Sequence, residues 1–217
     1  MAYSGHVEPG GPAQVRLLPE LGISKLSVGP MDNNVYLLEC RRTGALLLVD
    51  AAAEPERVLQ LVGDRPLKRV VTTHRHADHW QALDTVVART GARTAAGADD
   101  APAIPVRTDE PLADGAVVTV GDVRLEVITL VGHTPGSVAL RYDDPQGPPH
   151  LFTGDSLFPG GVGRTAGPAE FRSLLGDVER KLFGRLPDDT WFYPGHGADS
   201  TLGRERPSLA LWRARGW

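Results

Sequence analysis

The sequence predicts an α/β fold in which two β-sheets pack face to face and helices cover their outer faces. Short apolar or alternating runs come in two batches along the chain, and segments with helical spacing follow or interleave with each batch. The 217 residues contain no repeat and no linker-like stretch that would divide them. Such sheets and helices are stable as packed layers, because each layer buries its apolar face against the next.

The first batch of strands is predicted in the N-terminal third of the chain. The strands are expected at residues 15–18, 23–28, 35–39, 45–49 and 68–72. A helix over 54–62 begins near Pro55, which the first turn of a helix tolerates. A second helix is expected over 80–89, where apolar residues recur on one helical face.

The second batch of strands is predicted in the remaining two thirds. Strands are expected at 92–95, 117–120, 123–130, 137–142, 150–153 and 191–193, and helices at 98–103 and 168–183. Gly121-Asp122 lies between two of these strands and predicts a β-hairpin. Residues 158–167 are expected to be irregular, and 198–217 to form a polar loop with a short C-terminal segment.

A flexible N-terminal tail is predicted for residues 1–12, which are rich in Gly and Pro, and a single domain for residues 13–217. His6 lies in the tail and is expected to be solvated. His150 begins a predicted strand with no motif around it, so a structural role is expected for it.

The composition excludes several classes of protein. The net charge is −4 and no tract of Lys or Arg stands out, which argues against nucleic-acid binding. Cys40 is the only cysteine, so neither an intrachain disulfide nor a cage of thiolates can form. No apolar run approaches the roughly 18 residues of a membrane span, and the N-terminus lacks a signal-peptide pattern. We therefore expect a cytoplasmic protein without a membrane partner; the oligomeric state has no signal in the sequence.

Residues 72–79, Thr-Thr-His-Arg-His-Ala-Asp-His, are the most informative stretch. Three imidazoles and a carboxylate so close together would cost several kcal/mol to bury unpaired, whereas together they suit zinc, iron or manganese. In an extended segment His74 and His76 share one side and can bind one ion. Asp78 and His79 lie where a helix is expected to begin, so they can point to a second ion.

Four predicted strands end in the same pattern, in which an apolar run is followed by a sharp turn and a potential ligand. The four ligands are His74, His133, Asp155 and His196, and a glycine immediately precedes each of the last three. Glycine permits close backbone approach. Each residue alone could be an ordinary turn residue, but the set together predicts a functional site on one rim of the sheets.

The chain resembles the metallo-β-lactamase superfamily from about Asn33 to His196. The resemblance is carried by four motifs in order: His74-x-His76-x-Asp78-His79, Gly132-His133-Thr134-Pro135-Gly136, Thr153-Gly154-Asp155 and Pro194-Gly195-His196. Each motif alone would be weak evidence, whereas the ordered set is specific. The resemblance implies a four-layer αβ/βα sandwich of two mixed β-sheets, with helices on the outer faces and the site at one edge.

The resemblance also implies a role for each motif residue. All seven ligand positions of the family are filled: His74, His76 and His133 for a first metal, Asp78, His79 and His196 for a second, and Asp155 as the bridge. Two divalent ions, zinc before iron or manganese, would lower the pKa of a shared water from near 16 toward about 7. The hydroxide would attack an electrophilic carbonyl, and Asp78 would orient the water or accept its proton.

Within the superfamily, residues 153–165 and 32–36 resemble the glyoxalase II-like group, or hydroxyacylglutathione hydrolases, which cleave S-acyl thiols. A thiolate leaving group needs little protonation, which suits a site without an obvious separate acid. The chain lacks the C-terminal helical domain of the long form and two of its tyrosines, at Gly197 and about Ala166. Arg164 and Trp80 are candidate substrate contacts; a surface ion pair and core packing, respectively, are their alternative roles.

The sequence therefore predicts a compact metal-dependent hydrolase that cleaves a small-molecule thioester. Two alternatives on the same site stay open. A mononuclear iron persulfide dioxygenase shares the motif residues, and a lactone or other ester would suit the same chemistry. Activity on β-lactams is less expected, because those enzymes are exported and many carry cysteine where Asp155 stands.

Overall fold

A computed structural model describes residues 3–216, and its two large sheets confirm the predicted α/β sandwich. The first sheet has seven strands that lie side by side in chain order: β1 (Gln14–Leu17), β2 (Leu21–Val28), β3 (Asn33–Cys40), β4 (Leu46–Val49), β5 (Leu67–Thr72), β6 (Arg93–Gly97) and β7 (Glu110–Leu112). Strands β1 to β4 are antiparallel and β4 to β7 are parallel, so the sheet is mixed.

The second sheet is built from the C-terminal half of the chain. The later strands are β8 (Val117–Val120), β9 (Val123–Thr129), β10 (Val138–Tyr142), β11 (His150–Gly154), β12 (Leu157–Phe158), β13 (Gly161–Val162), β14 (Trp191–Pro194) and β15 (Ser200–Thr201). Strands β12 and β13 form a hairpin of their own, and the other six make the sheet in the order β15-β14-β11-β10-β9-β8. Val120 pairs with Val123, which confirms the predicted hairpin at Gly121-Asp122.

Helices cover the outer faces of both sheets. They are α1 (Pro55–Val62), α2 (Leu83–Thr90), α3 (Pro168–Asp177), α4 (Leu202–Glu205) and α5 (Leu209–Arg215), with a π-helical stretch, Val178–Phe183, that continues α3. Val58 of α1 and Val86 of α2 are buried against the first sheet, and Leu174 of α3 is buried against the second. Together with the core between the sheets, these contacts make the four layers that the resemblance implies.

Strand β4 shows how one strand serves two cores. Leu47 and Val49 face the core between the sheets, where Phe152 of the second sheet also packs. Leu46 and Leu48 face the opposite way, toward the helices. Full burial of such a side chain contributes about 1.5–3 kcal/mol, so a strand that is apolar throughout is stabilised on both faces.

The loop that carries the His cluster differs from its prediction. A helix is predicted from residue 80, but the chain first makes one turn of 3₁₀ helix, Ala77–His79, and α2 begins at Leu83. The turn closes with hydrogen bonds of 3.1 Å from the backbone N–H of His79 to His76 and from that of Trp80 to Ala77. Asp78 and His79 therefore lie in this turn rather than at the start of α2.

Other differences involve short elements. The stretch 158–167, predicted to be irregular, includes the β12–β13 hairpin, and α4 and α5 occupy most of the predicted C-terminal loop. Strands β7 and β15 have no counterpart in the prediction, because two or three residues are too few for a periodic pattern. Trp217 lies outside the described residues.

Residues of the segment predicted as a tail contact the rest of the chain. Tyr3 packs beside Trp191 and Tyr193, and Val7 is buried. The domain boundary at residue 13 and the flexibility of the tail stay predictions. Among the described residues, no helix has the length and apolar character needed to span a membrane.

Candidate metal centre

One rim of the sandwich collects the strand ends that carry the predicted site residues. Strands β5, β11 and β14 end at or just before a donor, and the loop after β9 carries another. Seven side chains converge there: His74, His76, Asp78, His79, His133, Asp155 and His196. The structure thus brings together every residue for which the sequence suggests a metal-binding role.

The first three donors form a triangle of nitrogen atoms. Nε2 of His74 lies 3.1 Å from Nδ1 of His76 and 3.2 Å from Nε2 of His133, and the third edge, from His76 Nδ1 to His133 Nε2, is 2.9 Å. Three ring nitrogens that face one another at these distances could hold a common cation. His74 is fully buried, whereas His76 is exposed at the mouth of the site.

A second triangle lies beside the first and mixes nitrogen with oxygen. Nε2 of His79 is 3.2 Å from Nε2 of His196, and Oδ2 of Asp78 lies 3.4 Å from the former and 3.3 Å from the latter. Asp78 and His79 come from the 3₁₀ turn, and His196 comes from the loop after β14. Side chains from loops of both sheets therefore form this group.

Asp155 lies between the two triangles. Its Oδ1 is 3.4 Å from Nε2 of His79, and its Oδ2 is 3.5 Å from Nε2 of His133 and 3.4 Å from Nε2 of His196. One carboxylate thus faces nitrogens of both groups, which is the geometry required of a bridging ligand.

The donor set fits divalent metal ions. A tetrahedral ion with metal–nitrogen bonds of about 2.0–2.1 Å places its ligand atoms about 3.3 Å apart, close to the edges of both triangles. Oδ1 of Asp155 is buried and has no hydrogen-bond partner among the described residues. Because an unpaired buried carboxylate oxygen is costly, a cation at this position would remove a penalty that the protein alone leaves.

Burial and neighbouring charges set the protonation of the donors. Burial lowers the pKa of His74 well below its usual value, with a further contribution from His79, so its imidazole is neutral and free to bind a metal. Burial acts in the same direction on His79, but the carboxylates of Asp50, Asp155 and Asp78 outweigh it and raise the pKa of His79. A metal at His79 would therefore displace a proton.

The carboxylates are held in their ionised form. Burial alone would raise the pKa of Asp155, but the imidazoles of His196 and His79 beside the carboxylate outweigh burial and lower it. For Asp78 the hydrogen bond from His79 is the largest influence and lowers its pKa, with Asn33 acting in the same direction. Both side chains can accept a cation without first losing a proton.

Backbone carbonyls fix the orientation of two imidazoles. Nδ1 of His133 donates a 2.6 Å hydrogen bond to the carbonyl of Arg164, and Nδ1 of His196 donates one of 2.8 Å to the carbonyl of Met31. A carbonyl can only accept, so Nδ1 carries a proton in both rings and Nε2 is the nitrogen available to a metal.

Asp50, Asp100 and Asn33 support the donors and were not recognisable as site residues from the sequence. Asp50 accepts hydrogen bonds from Nδ1 of His79 (2.8 Å) and from the N–H and hydroxyl of Thr73. Asn33 donates to Oδ2 of Asp78 (2.9 Å). For Asp50 the available signal is a polar residue directly after a strand, which is also typical of an ordinary turn, and for Asn33 it is its place in the 32–36 stretch, at the start of β3.

Asp100 connects two of the loops that carry donors. It is fully buried and accepts hydrogen bonds from the backbone N–H of Arg75, from the hydroxyl of Thr134 and from the backbone N–H of Gly136. Arg75 lies between two donors of the first loop, and Thr134 follows His133. The carboxylate therefore holds the donors of the first triangle together.

Gly195 shows why glycine precedes a donor. A Cβ atom at this position would overlap Oδ1 of Asp155 and lie 2.7 Å from Cε1 of His79. Any larger residue would displace the carboxylate of Asp155, which supports the interpretation of these glycines as sites of close approach.

The two candidate substrate contacts differ in their surroundings. Arg164 is exposed and lines a cavity of about 310 Å³. Its backbone carbonyl accepts a hydrogen bond from His133. Trp80 is half-buried against the core on the helix side, and its indole N–H donates to the carbonyl of Arg75. For Trp80 these contacts favour the alternative role in packing.

A four-layer sandwich with His and Asp donors at its rim defines a class of metal-binding hydrolases. Residues 28–196 match the family model of the metallo-beta-lactamase superfamily. The chain belongs to this superfamily, whose fold implies divalent metal ions.

A hydroxyacylglutathione hydrolase from Cereibacter sphaeroides (strain ATCC 17029 / ATH 2.4.9) is 38% identical over 170 residues, which are 76% of this chain and 62% of that protein. The chain thus spans less than two thirds of that relative. It resembles the glyoxalase II group over the part of the relative that it covers.

Two solved structures are similar in fold and sequence. ETHE1 from Myxococcus xanthus superposes with a TM-score of 0.76 and 28% identity, covering 88% of this chain and 84% of that one. TTHA1623, in a di-iron-bound form, gives a TM-score of 0.70 and 31% identity over 84% of this chain and 96% of that one.

Proposed function

We propose that this chain is a hydrolase of S-acyl thiols that uses two divalent metal ions. The observation that carries the proposal is the pair of donor triangles joined by Asp155. The similarity to a hydroxyacylglutathione hydrolase supports a thioester as the bond that is cleaved. Zinc is the first candidate, the di-iron form of TTHA1623 supports iron, and manganese is the third. A cytoplasmic location is part of the proposal.

Each ion would be held by one of the two donor triangles, with Asp155 between them. The first ion would be held by His74, His76 and His133, the second by Asp78, His79 and His196, and Asp155 would bind both. When bound, divalent ions supply Lewis acidity that activates water and polarises a carbonyl.

Asp78 is proposed to act on the attacking water in addition to binding a metal. Its side chain is partly exposed, so it faces the side from which water and substrate enter. Asn33 holds Oδ2, and the hydrogen bond from His79 keeps the pKa of Asp78 low. An ionised carboxylate held in this way can orient a water molecule or accept its proton.

A cavity next to the site can accept the thiol carrier. It measures about 310 Å³ and is lined by Arg164 and by Arg215 of α5, with Val162 and Phe171 beside them. The cavity adjoins the candidate metal centre, because the backbone carbonyl of Arg164 accepts a hydrogen bond from Nδ1 of His133. No carboxylate of a described residue forms an ion pair with either guanidinium. The cavity therefore favours a carrier with a negatively charged group.

Thioester turnover tests the proposal directly. Purified protein is loaded separately with zinc, iron or manganese and given a panel of S-acyl thiols, with lactones and simple esters beside them, and free thiol or acid is measured. We expect metal-dependent thiol release that exceeds turnover of the esters. Chelated protein is the control, and no thiol release from any member at saturating concentrations would refute the proposal.

A persulfide dioxygenase with a single iron is the second candidate, and the similarity to ETHE1 favours it. Oxygen uptake on glutathione persulfide by iron-loaded protein separates it from the hydrolase. Elemental analysis of protein purified without added metal gives the number and identity of the ions. Oxygen uptake together with one iron per chain would replace the hydrolase by the dioxygenase.

A further inference from the structure

We propose that a buried network around Lys25 and Asp199 positions His196, and that Tyr3 and Gly5 of the N-terminal segment are parts of it. This network is called the latch below. The inference rests on the proposed metal site and is independent of the proposed substrate. Under this proposal the N-terminal segment, predicted from the sequence to be a flexible tail, supports the metal centre.

The centre of the latch is an ion pair from which water is excluded. The side chains of Lys25 and Asp199 are both 0% exposed, and Nζ lies 2.6 Å from Oδ1. Nζ also donates to the carbonyls of Gly5 (2.9 Å) and Gly197 (2.7 Å). These three bonds use all three hydrogens of the ammonium group, so the buried charge is fully paired.

The latch holds the backbone on both sides of His196. The carbonyl of Gly197 accepts hydrogen bonds from Lys25 and from Nδ2 of Asn34 (2.9 Å). The carbonyl of Pro194 accepts from the hydroxyl of Tyr36 (2.7 Å) and again from Nδ2 of Asn34 (2.9 Å). His196 follows a strand of the second sheet, yet its loop is bound to residues of the first.

The N-terminal segment completes the far side of the latch. The hydroxyl of Tyr3 donates to Oδ2 of Asp199 (2.5 Å), and the backbone N–H of Asp199 donates to the carbonyl of Gly5 (2.9 Å). Gly5 has a φ of +79°, and a Cβ atom there would lie only 3.1 Å from Cβ of Asp199. The segment is therefore fitted closely against Asp199.

A positioning role explains the latch better than stabilisation does. A buried ion pair often adds little net stability compared with apolar residues of similar volume. Metal ligands, by contrast, must be held to within about 0.5 Å. Of the donors in the second triangle only His196 lies on the latched loop, since Asp78 and His79 belong to the 3₁₀ turn. Loosening the latch should therefore weaken the second ion and spare the first.

The mildest test removes one hydroxyl. Tyr3→Phe deletes the hydrogen bond to Asp199 and keeps the ring in place, and Tyr142→Phe is the matched control, because its buried hydroxyl has no partner among the described residues. Zinc affinity is measured by competition with a chromophoric chelator. We expect Tyr3→Phe to bind the second ion about tenfold more weakly, the lower end of the effect of partners that orient ligands, and the control to bind as wild type does.

A double variant removes the ion pair without leaving a buried charge. Lys25→Met with Asp199→Leu replaces both members by apolar groups, a change that buried ion pairs commonly tolerate. The Gly197 carbonyl then loses the bond from Lys25. We expect a folded protein that binds the first ion normally and the second about 10–100-fold more weakly.

Hydrogen exchange in the metal-free protein gives a readout that depends on neither metal nor substrate. The amides of Gly195, Gly197 and Asp199 are hydrogen-bonded in the latched loop, and we expect faster exchange there in Tyr3→Phe than in Tyr142→Phe. Equal exchange, or two ions bound by the folded variants with wild-type affinity, would overturn the latch. A protein that binds metal as expected but cleaves no thioester would refute only the proposed function.

Discussion

Asp50 accepts a 2.8 Å hydrogen bond from Nδ1 of His79 and, through the hydroxyl of Thr73, also orients His74. The Thr73 hydroxyl donates to Asp50, so it accepts from Nδ1 of His74 and leaves Nε2 of that ring for a metal. One buried carboxylate therefore orients a donor of each triangle. This arrangement requires the chain to turn sharply after β4, and Asp50 has a φ of +57°.

Asp50→Asn should weaken both ions together. The amide can keep the size of the side chain but cannot provide two carboxylate oxygens to the three donors, so both imidazoles lose their fixed orientation. We expect a loss of about 10–100-fold in affinity for each ion, measured by chelator competition. Asp144→Asn is the control, since that buried carboxylate accepts from Gln146 instead of a donor of the site. Loss of only one ion would contradict the shared role.

Asp155→Ala should abolish metal-dependent turnover while the domain stays folded. The side chain touches donors of both triangles, whereas three apolar clusters elsewhere carry the fold. We expect activity to fall at least about hundredfold, with a retained circular dichroism spectrum and cooperative unfolding. His133→Ala should act in the same direction. Full activity without the carboxylate would refute a bridged two-metal site.

The sequence predicts the donors of this site better than it predicts the residues that hold those donors in place. Each donor follows an apolar strand and stands in a spaced motif, so a local pattern suffices to find it. Asp50 and Asp100 act through partners 23 to 36 residues away in the chain, and nothing near them in sequence indicates those contacts. The packing of Tyr3 on Asp199 spans 196 residues, so the N-terminal segment looks like a tail until the fold is known.

Local patterns also explain which elements are predicted. In long strands such as β2 and β3, apolar residues alternate with polar ones or fill the strand, and the β8–β9 hairpin has typical turn residues. The sequence therefore predicts these elements. The 3₁₀ turn Ala77–His79 is too short for a periodic pattern and is fixed by its hydrogen bonds. Its consequence is local: the turn, and not α2, directs Asp78 and His79 into the second triangle.

Arg215→Ala should raise KM for a thioester whose carrier is negatively charged. If Arg215 binds that charge, its removal loses a charge-assisted hydrogen bond worth roughly 1.5 kcal/mol, or about tenfold in KM. Arg213→Ala is the control, because Arg213 lies on the same helix and pairs with Glu179 at 2.5 Å. A neutral thioester should respond to neither change. An equal effect of both variants would show that general surface charge, not the cavity, is responsible.

His150 should make stability depend on pH. It is fully buried, the hydroxyl of Tyr193 lies 2.9 Å from its Nδ1, and burial lowers the pKa of His150 to about 3, with Arg16 acting in the same direction. In the unfolded chain a histidine has a pKa of about 6.5. Between these values the unfolded state binds the proton and the folded state does not, so stability is complete above pH 6.5 and falls as the pH is lowered toward 3.

His150→Phe removes this dependence and retains an aromatic ring between Tyr142 and Tyr193. Urea unfolding in the presence of chelator is compared at pH 7.5 and pH 5, where the other histidines contribute equally to both proteins. We expect the wild type to lose up to about 2 kcal/mol more than the variant over this interval. His6→Phe, at an exposed position, should follow the wild-type profile. Parallel profiles for wild type and His150→Phe would mean that the buried imidazole is protonated in the folded state at pH 5.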